Sequence, residues 1–266
     1  MMKRQISIII PARFGSSRFP GKPLAMIAGL SLLERVYRIA SAVPDIDRVA
    51  VATDDPKIVD HVKGFGGNAV MTPLDCRNGS ERVFKAMQDL VKDSSDIIIN
   101  FQGDAVLTPP WIINDVIQAM VEDPSIKIAT PAVRLSYANL EKLELYHQNG
   151  NAGGTTVTFD TKGDALYFTK GIIPFVRGTR SGADSPVFKH IGLYGYTASS
   201  LAQYVALAPA RFEEVEQLEQ LRALENGIAI RVVQVDLKGR TMWSIDNPID
   251  VTETEKIITT QGELFT

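Results

Sequence analysis

The sequence predicts an α/β fold: a mostly parallel sheet with helices on both faces and a smaller antiparallel lobe inserted into it. Three observations carry that reading. Short β-branched runs alternate with segments of helical spacing through the first part of the chain, and the runs are apolar on both faces, as in strands covered from two sides. After Ala129 the rhythm changes to paired short runs around glycine turns, the pattern of hairpins.

Taken in order, residues 5–10 form a short buried strand, because Ile6, Ile8, Ile9 and Ile10 make a β-branched run that stops at Pro11. A glycine-containing loop follows. Leu32, Leu33, Val36, Ile39, Ala40 and Val43 then recur at helical spacing behind Ser31, a natural N-cap. A strand over residues 47–53, a helix over 56–65, a short strand over 68–71, a helix over 80–91 and the buried strand DIIINF over 96–101 continue the alternation. In such sheets ligands collect at the carboxyl ends of the strands. Residues 155–159 and 165–169 flank the DTKG turn at 160–163 as a hairpin, within an antiparallel insertion over about 135–189. No low-complexity linker bounds that insertion, so residues 1–266 read as one domain. The chain returns through a strand over 191–196, a long helix near 213–225 ended by Asn226-Gly227, and a strand over 228–235.

Composition narrows the function. Of 266 residues, 45% are hydrophobic and 22% charged, an ordinary balance for a soluble globular chain. The formal net charge of -3 offers no global basic field for a nucleic acid polymer, so any anion must be held by a local cluster. The single cysteine, Cys76, allows no intrachain disulfide and points to a reducing compartment, the cytoplasm. The apolar run before Pro11 is too short for a signal-peptide core or a membrane span.

The informative stretch is IIIPARFGSSRFPGKPL, from Ile8 to Leu24. It leaves the first strand with Arg13, Arg18 and Lys22, and with Gly15 and Gly21, which let backbone approach a ligand closely. Three cations there suit a triphosphate; as a solvated surface turn they would do nothing. The loop matches neither the dinucleotide G-x-G-x-x-G pattern nor the P-loop, which excludes the two commonest glycine-loop assignments.

PARFGSSRFPGKPL resembles the signature loop of the cytidylyltransferases that activate 3-deoxy-manno-octulosonate (Kdo), the CMP-Kdo synthetases, within the wider sugar nucleotidyltransferase class. The likeness continues at VATDD from Val51, FGGNAVMT from Phe65, NGSER from Asn78, NFQGD from Asn100, DALYF from Asp164, HIGLYGY from His190 and LEQLRALENG from Leu218. It runs in the family's order over nearly the whole chain. The resemblance implies a Rossmann-like nucleotidyltransferase sheet and a reaction that joins the sugar's anomeric hydroxyl to the α-phosphorus of CTP and expels pyrophosphate. Such a step needs positioning and charge neutralisation more than covalent chemistry.

The resemblance also implies roles. Arg13, Ser16, Arg18 and Lys22 would clamp the triphosphate, with Arg13, Lys22 and Asp104 the catalytic set. Ala12, Asp54, Gly79 and Arg82 would complete the nucleotide site, although Arg82 also reads as a solvated helix residue. Asp104, closing QGD, and Asp246, in SIDNP, would hold Mg2+ as two oxygen ligands that leave room for water and phosphate; both also read as turn or cap aspartates. Gln102, Lys170, His190, Tyr194, Glu219 and Gln220 match the sugar-contacting positions, His190 being otherwise a structural histidine. Glu216 and Glu219 lie three apart on the 213–225 helix and share a face, pointing into the site or forming a solvated acidic face. The insertion resembles the region through which the family forms homodimers.

The match departs from the family at Ala105-Val106, where a polar side chain is usual, at Lys170, where arginine is usual, at Gly153-Gly154-Thr155-Thr156-Val157, which lacks a lysine, and at Asn247-Pro248-Ile249-Asp250. Lysine keeps the charge of arginine but not its bidentate fork. The acceptor half has drifted further than the nucleotide half. Kdo, its 8-amino form or another 2-keto acid sugar such as a nonulosonate are therefore the acceptors to weigh, against a silent paralogue that binds CTP or a sugar without turnover.

Overall fold

The computed structural model describes residues 4–15, 19–91, 93–151, 153–177 and 182–265. β1 (Ile6–Pro11) is buried on both faces, and the chain leaves it for a 3-10 turn at Lys22–Leu24 behind Gly21, whose φ of 71° suits glycine. A small hairpin of β2 (Met26–Ile27) and β3 (Leu30–Ser31) leads into α1 (Leu32–Ser41), where the Ser31 hydroxyl accepts from the Glu34 N–H as expected of an N-cap. β4 (Arg48–Thr53), α2 (Pro56–Gly64), β5 (Ala69–Met71), α3 (Gly79–Leu90) and β6 (Ile97–Phe101) follow as the alternation predicts.

The next elements are α4 (Pro110–Glu122), β7 (Ile128–Ser136), α5 (Tyr137–Gln148), β8 (Thr156–Phe159), β9 (Ala165–Thr169), β10 (Asp184–His190) and β11 (Leu193–Thr197). The chain closes through α6 (Ala198–Val205), α7 (Arg211–Glu216), α8 (Leu221–Glu225), β12 (Arg231–Val235) and α9 (Ile249–Gln261).

One 10-stranded sheet organises the molecule in the order β5-β4-β1-β6-β11-β7-β10-β8-β9, with β12 alongside β7. The pairs among β5, β4, β1 and β6 are parallel, as is β12 with β7, whereas β11 enters antiparallel between β6 and β7. β8 and β9 form the expected hairpin, and with β10 they extend the same sheet instead of building a separate one. Period-2 alternation sorts the strand residues to two cores. Ile8, Ile10, Ile97 and Ile99 pack with α1, α2 and α4 on one face; Ile9, Ile98, Tyr194 and Tyr196 pack with α3, α6 and α8 on the other. No helix among the described residues is long and apolar enough to cross a membrane.

The expected single helix over 213–225 is two short helices. Gln217 takes a left-handed conformation, φ 54° and ψ 44°, which ends α7, and the chain re-enters helix only at Leu221. The Tyr204 hydroxyl donates to the Glu219 carbonyl at 2.8 Å inside the break, a contact that a continuous helix would not leave open. The strand expected over 228–235 begins at Arg231.

Candidate active site

The carboxyl ends of β1 and β6 and the amino end of α3 open into one cavity of about 390 Å3. The end of β1 contributes Pro11, Ala12 and Arg13; the turn after it, Lys22 and Pro23; the approach to α3 and its first turns, Cys76, Arg77, Asn78, Gly79 and Arg82. Gln102, Gly103 and Asp104 come from the loop after β6, and Asp246 from the segment before α9. Gly103 is required by close approach: a Cβ there would lie 2.7 Å from the Pro11 carbonyl oxygen, so any larger residue would push Asp104 away from β1.

Electrostatically the cavity is built for an anion. Among the described charged residues lining it, Arg13, Lys22, Arg77 and Arg82 outnumber Asp104 and Asp246, although the chain as a whole is at -3. α3 adds its positive end, with Asn78 and Gly79 at the mouth and the Asn78 carboxamide accepting from the Glu81 N–H at 2.9 Å. The helix expected from residue 80 starts at Gly79 behind Asn78, and the N-x-x-E spacing of Asn78 and Glu81 is the sequence signal that marks this start. Burial pushes the Cys76 thiol up, so it stays protonated at neutral pH.

Lys22 Nζ pairs with Asp104 Oδ2 at 2.9 Å and donates to the Ile245 carbonyl at 2.8 Å, while the Ile245 N–H reaches the Asp104 carbonyl at 3.3 Å. Asp246 is therefore brought beside Asp104 and Lys22, as the sequence reading required. It is not the cap of α9, which starts behind Pro248 without a side-chain cap bond; Asp250, in the first turn of that helix, accepts from the Asp246 N–H at 2.9 Å and the Asn247 N–H at 2.7 Å. Arg82 is not solvated either. It is buried, bonded to Asp54 and to the Thr72 hydroxyl, each at 2.6 Å, so Asp54 acts beneath the cavity instead of lining it. Ser16 and Arg18 lie outside the described residues.

The other predicted residues form a second group, on the α3 and α6 face of the sheet. His190 packs edge-on against Phe168, 5.1 Å between ring centroids, and beside Tyr194 at 5.5 Å, with Nε2 2.8 Å from the Thr130 hydroxyl. Burial lowers its pKa to about 3, so the imidazole is neutral. Tyr194 pairs across the strands with Asn100, and burial, then the nearby Glu219, raises its phenol further. Glu219 accepts from the Ser80 hydroxyl at 2.9 Å, with its pKa raised by burial. Gln220 is buried, and its Nε2 has no hydrogen-bond partner among the described residues. Glu216 is separated from Glu219 by the break at Gln217 and instead accepts from the Thr169 hydroxyl and the Lys170 N–H, at 2.8 and 2.9 Å. Lys170 does not line the cavity. Ala105 and Val106 turn into the core, so only the residues before them from that loop reach the cavity.

The sequence profile of the cytidylyltransferases matches residues 7–231, most of the chain. The chain belongs to the cytidylyltransferase family. Among this family's members, the 3-deoxy-manno-octulosonate cytidylyltransferase of Maricaulis maris (strain MCS10) is 55% identical over 96% of this chain and 98% of its own. The 8-amino-3,8-dideoxy-manno-octulosonate cytidylyltransferase of Shewanella sediminis (strain HAW-EB3) is 39% identical over 92% of this chain and 95% of its own. A solved CMP:2-keto-3-deoxy-manno-octonic acid synthetase, complexed with CTP, superposes with a TM-score of 0.84 at 33% identity, covering 97% of this chain and 99% of that one. The α/β sheet seen here is thus the sheet of a cytidylyltransferase, as the sequence motifs implied.

Proposed function

We propose that this cytidylyltransferase transfers CMP from CTP to the anomeric hydroxyl of Kdo, or of a close analogue such as the 8-amino sugar, with release of pyrophosphate. The observation that carries the reading is the convergence of Arg13, Lys22, Asp104 and Asp246 on one cavity at the carboxyl edge of the parallel strands. In that geometry Arg13 and Lys22 neutralise the triphosphate, and the α3 amino terminus adds the positive end of its dipole. The sugar hydroxyl oxygen bonds to the α-phosphorus and gives up its proton to solvent, as the bond from the α-phosphorus to the oxygen bridging to the β-phosphate breaks and pyrophosphate leaves with that electron pair. Charge builds on the leaving oxygens, where fixed cations lower the barrier without reorganising.

Mg2+ fits the donor set. Asp104 and Asp246 are hard oxygen donors lining the same cavity, and two carboxylates plus phosphate oxygens and water suit this ion, which rarely enters an all-protein cage. Among the described residues no group of three or more His, Cys, Asp or Glu offers such a cage. Held by Asp104 and Asp246, Mg2+ would supply charge neutralisation for the phosphates. Gln102, from the cavity lining, and the second group of His190, Tyr194, Glu219 and Gln220 would receive the sugar, with the Gln220 amide as one contact.

The same reading makes the enzyme a cytoplasmic homodimer that feeds the assembly of a surface polysaccharide or lipopolysaccharide. The 135–189 region presents Leu145, Leu166 and Phe175, the last 88% exposed, which suits a self-complementary face. Light scattering reads the oligomer directly.

Incubation with CTP, Mg2+ and a panel of Kdo, 8-amino-Kdo and nonulosonates, read as pyrophosphate release, tests the reaction. Release with an octulosonate supports it. CTP binding with no release on any sugar would mark a silent paralogue and end the proposal.

A further inference from the structure

Asn100 is the one polar residue of β6 and is fully buried between apolar neighbours. Its side chain is bonded at both ends. Gln102 donates Nε2–H to Asn100 Oδ1 at 3.2 Å, Asn100 donates Nδ2–H to Ser80 Oγ at 3.1 Å, and Ser80, also fully buried, donates to Glu219 Oε1 at 2.9 Å. Every donor in this chain faces the same way, and chemistry dictates the direction. An ionised Glu219 only accepts, and in that form the one Ser80 proton goes to Glu219 Oε1, the direction the geometry has. The Ser80 oxygen is left to accept, which turns the Asn100 amino group toward it. The Asn100 carbonyl then faces Gln102 and takes its amino group. What remains is Gln102 Oε1, which accepts from none of the described residues, on a side chain that lines the cavity.

A glutamine amide on its own presents either edge, since half a turn about its last torsion exchanges oxygen for nitrogen. Here the reversed amide would set its oxygen against Asn100 Oδ1 and leave two buried acceptors facing each other.

We infer that Ser80 and Asn100 are positioning residues: anchored on the Glu219 carboxylate, they hold Gln102 with its carbonyl oxygen toward the cavity, as a hydrogen-bond acceptor for a hydroxyl of the sugar substrate. The inference rests on the proposed contact between Gln102 and the sugar. It assigns no direct substrate contact to Ser80 or Asn100. They act through the side chain they orient.

The test compares Ser80→Ala, Ser80→Thr, Asn100→Asp and Gln102→Leu in steady-state turnover of CTP and Kdo, with CTP affinity by calorimetry and folding by thermal melting. Ser80→Ala breaks the chain at its middle, and Asn100→Asp puts an acceptor where a donor is needed. Each is expected to raise the KM for the sugar roughly tenfold, the order of one lost hydrogen bond with its orientation, while CTP affinity stays at the wild-type value. Ser80→Thr keeps the hydroxyl and restores the sugar KM. A Gln102→Leu enzyme with a raised sugar KM beside Ser80→Ala and Asn100→Asp enzymes with wild-type values would overturn the relay and leave the Gln102 contact standing. A Gln102→Leu enzyme with a wild-type sugar KM would remove the contact itself, and the inference with it, while CMP transfer remained. Equal damage from Ser80→Ala and Ser80→Thr would show crowding at this position instead of hydrogen bonding, and would also overturn it.

Discussion

Lys22 Nζ stands 2.9 Å from Asp104 Oδ2, although the two residues are 82 apart in sequence, and the same ammonium donates to the Ile245 carbonyl 223 residues away. One side chain thus joins the loop after β1, the loop after β6 and the segment that carries Asp246. An anion entering the cavity would meet a cation already oriented by a carboxylate.

Replacing Lys22 by methionine keeps the stem and deletes the charge. The expected loss in kcat is on the order of a hundredfold, the scale of one missing donor at a developing charge. Stability should fall by no more than about 1 kcal/mol, because the pair is partly open to water. Pyrophosphate release and urea denaturation measure the two effects separately. A wild-type rate in Lys22→Met would remove this residue from the mechanism.

Asp246 and Asp250 are neighbours with different duties. Asp246→Asn is expected to raise the Mg2+ concentration needed for half-maximal rate. Asp250→Ala deletes the acceptor of two backbone N–H groups and should cost about 1 kcal/mol of stability, with the Mg2+ requirement unmoved. A Mg2+ titration of both variants decides the matter, and identical Mg2+ curves for wild type and Asp246→Asn would exclude a metal role for this carboxylate.

Arg82 and Asp54 make a buried ion pair at 2.6 Å. Truncating Arg82 to alanine strands the Asp54 carboxylate, and the expected cost is about 3–5 kcal/mol. Combining Arg82→Met with Asp54→Leu removes both charges and should recover much of that stability, yet CTP binding should remain weak because the cavity has lost a cation. Tight CTP binding by the double variant would confine this pair to structure.

The pH dependence of stability carries the mark of His190. Its folded-state pKa is about 3 against an ordinary 6.5, lowered by burial. Below pH 6.5 the unfolded chain takes up a proton that the folded protein refuses, so stability drains away as the pH falls toward 3, by about 1.4 kcal/mol per pH unit at most. His190→Gln keeps a polar group beside Thr130 and should lose less stability than wild type between pH 7 and 5. Denaturation at both pH values reads the difference, and parallel losses in the two proteins would mean that His190 titrates normally.

Local patterns were readable where local physics governs. The Ile8–Ile10 run, the Ser31 cap and the glycine turn at 160–163 depend on neighbours a few positions away, and all took the predicted form. The helix over 213–225 failed because its periodicity gives no sign of the left-handed Gln217, after which the Glu219 carbonyl accepts from the Tyr204 hydroxyl. Arg82 was ambiguous for a related reason. Its helix position says nothing of whether Asp54 lies close enough to neutralise it in a buried setting.

By itself, then, the sequence determined an alternating α/β chain, the family it belongs to, and a cation-bearing loop at the end of the first strand. Only the tertiary structure decided which side chains share a charge or a proton, because Ser80 reaches Glu219 across 139 residues and Lys22 reaches Asp104 across 82. Hydrogen bonds act over about 3 Å, and periodicity along a chain carries no information about distances between segments that far apart.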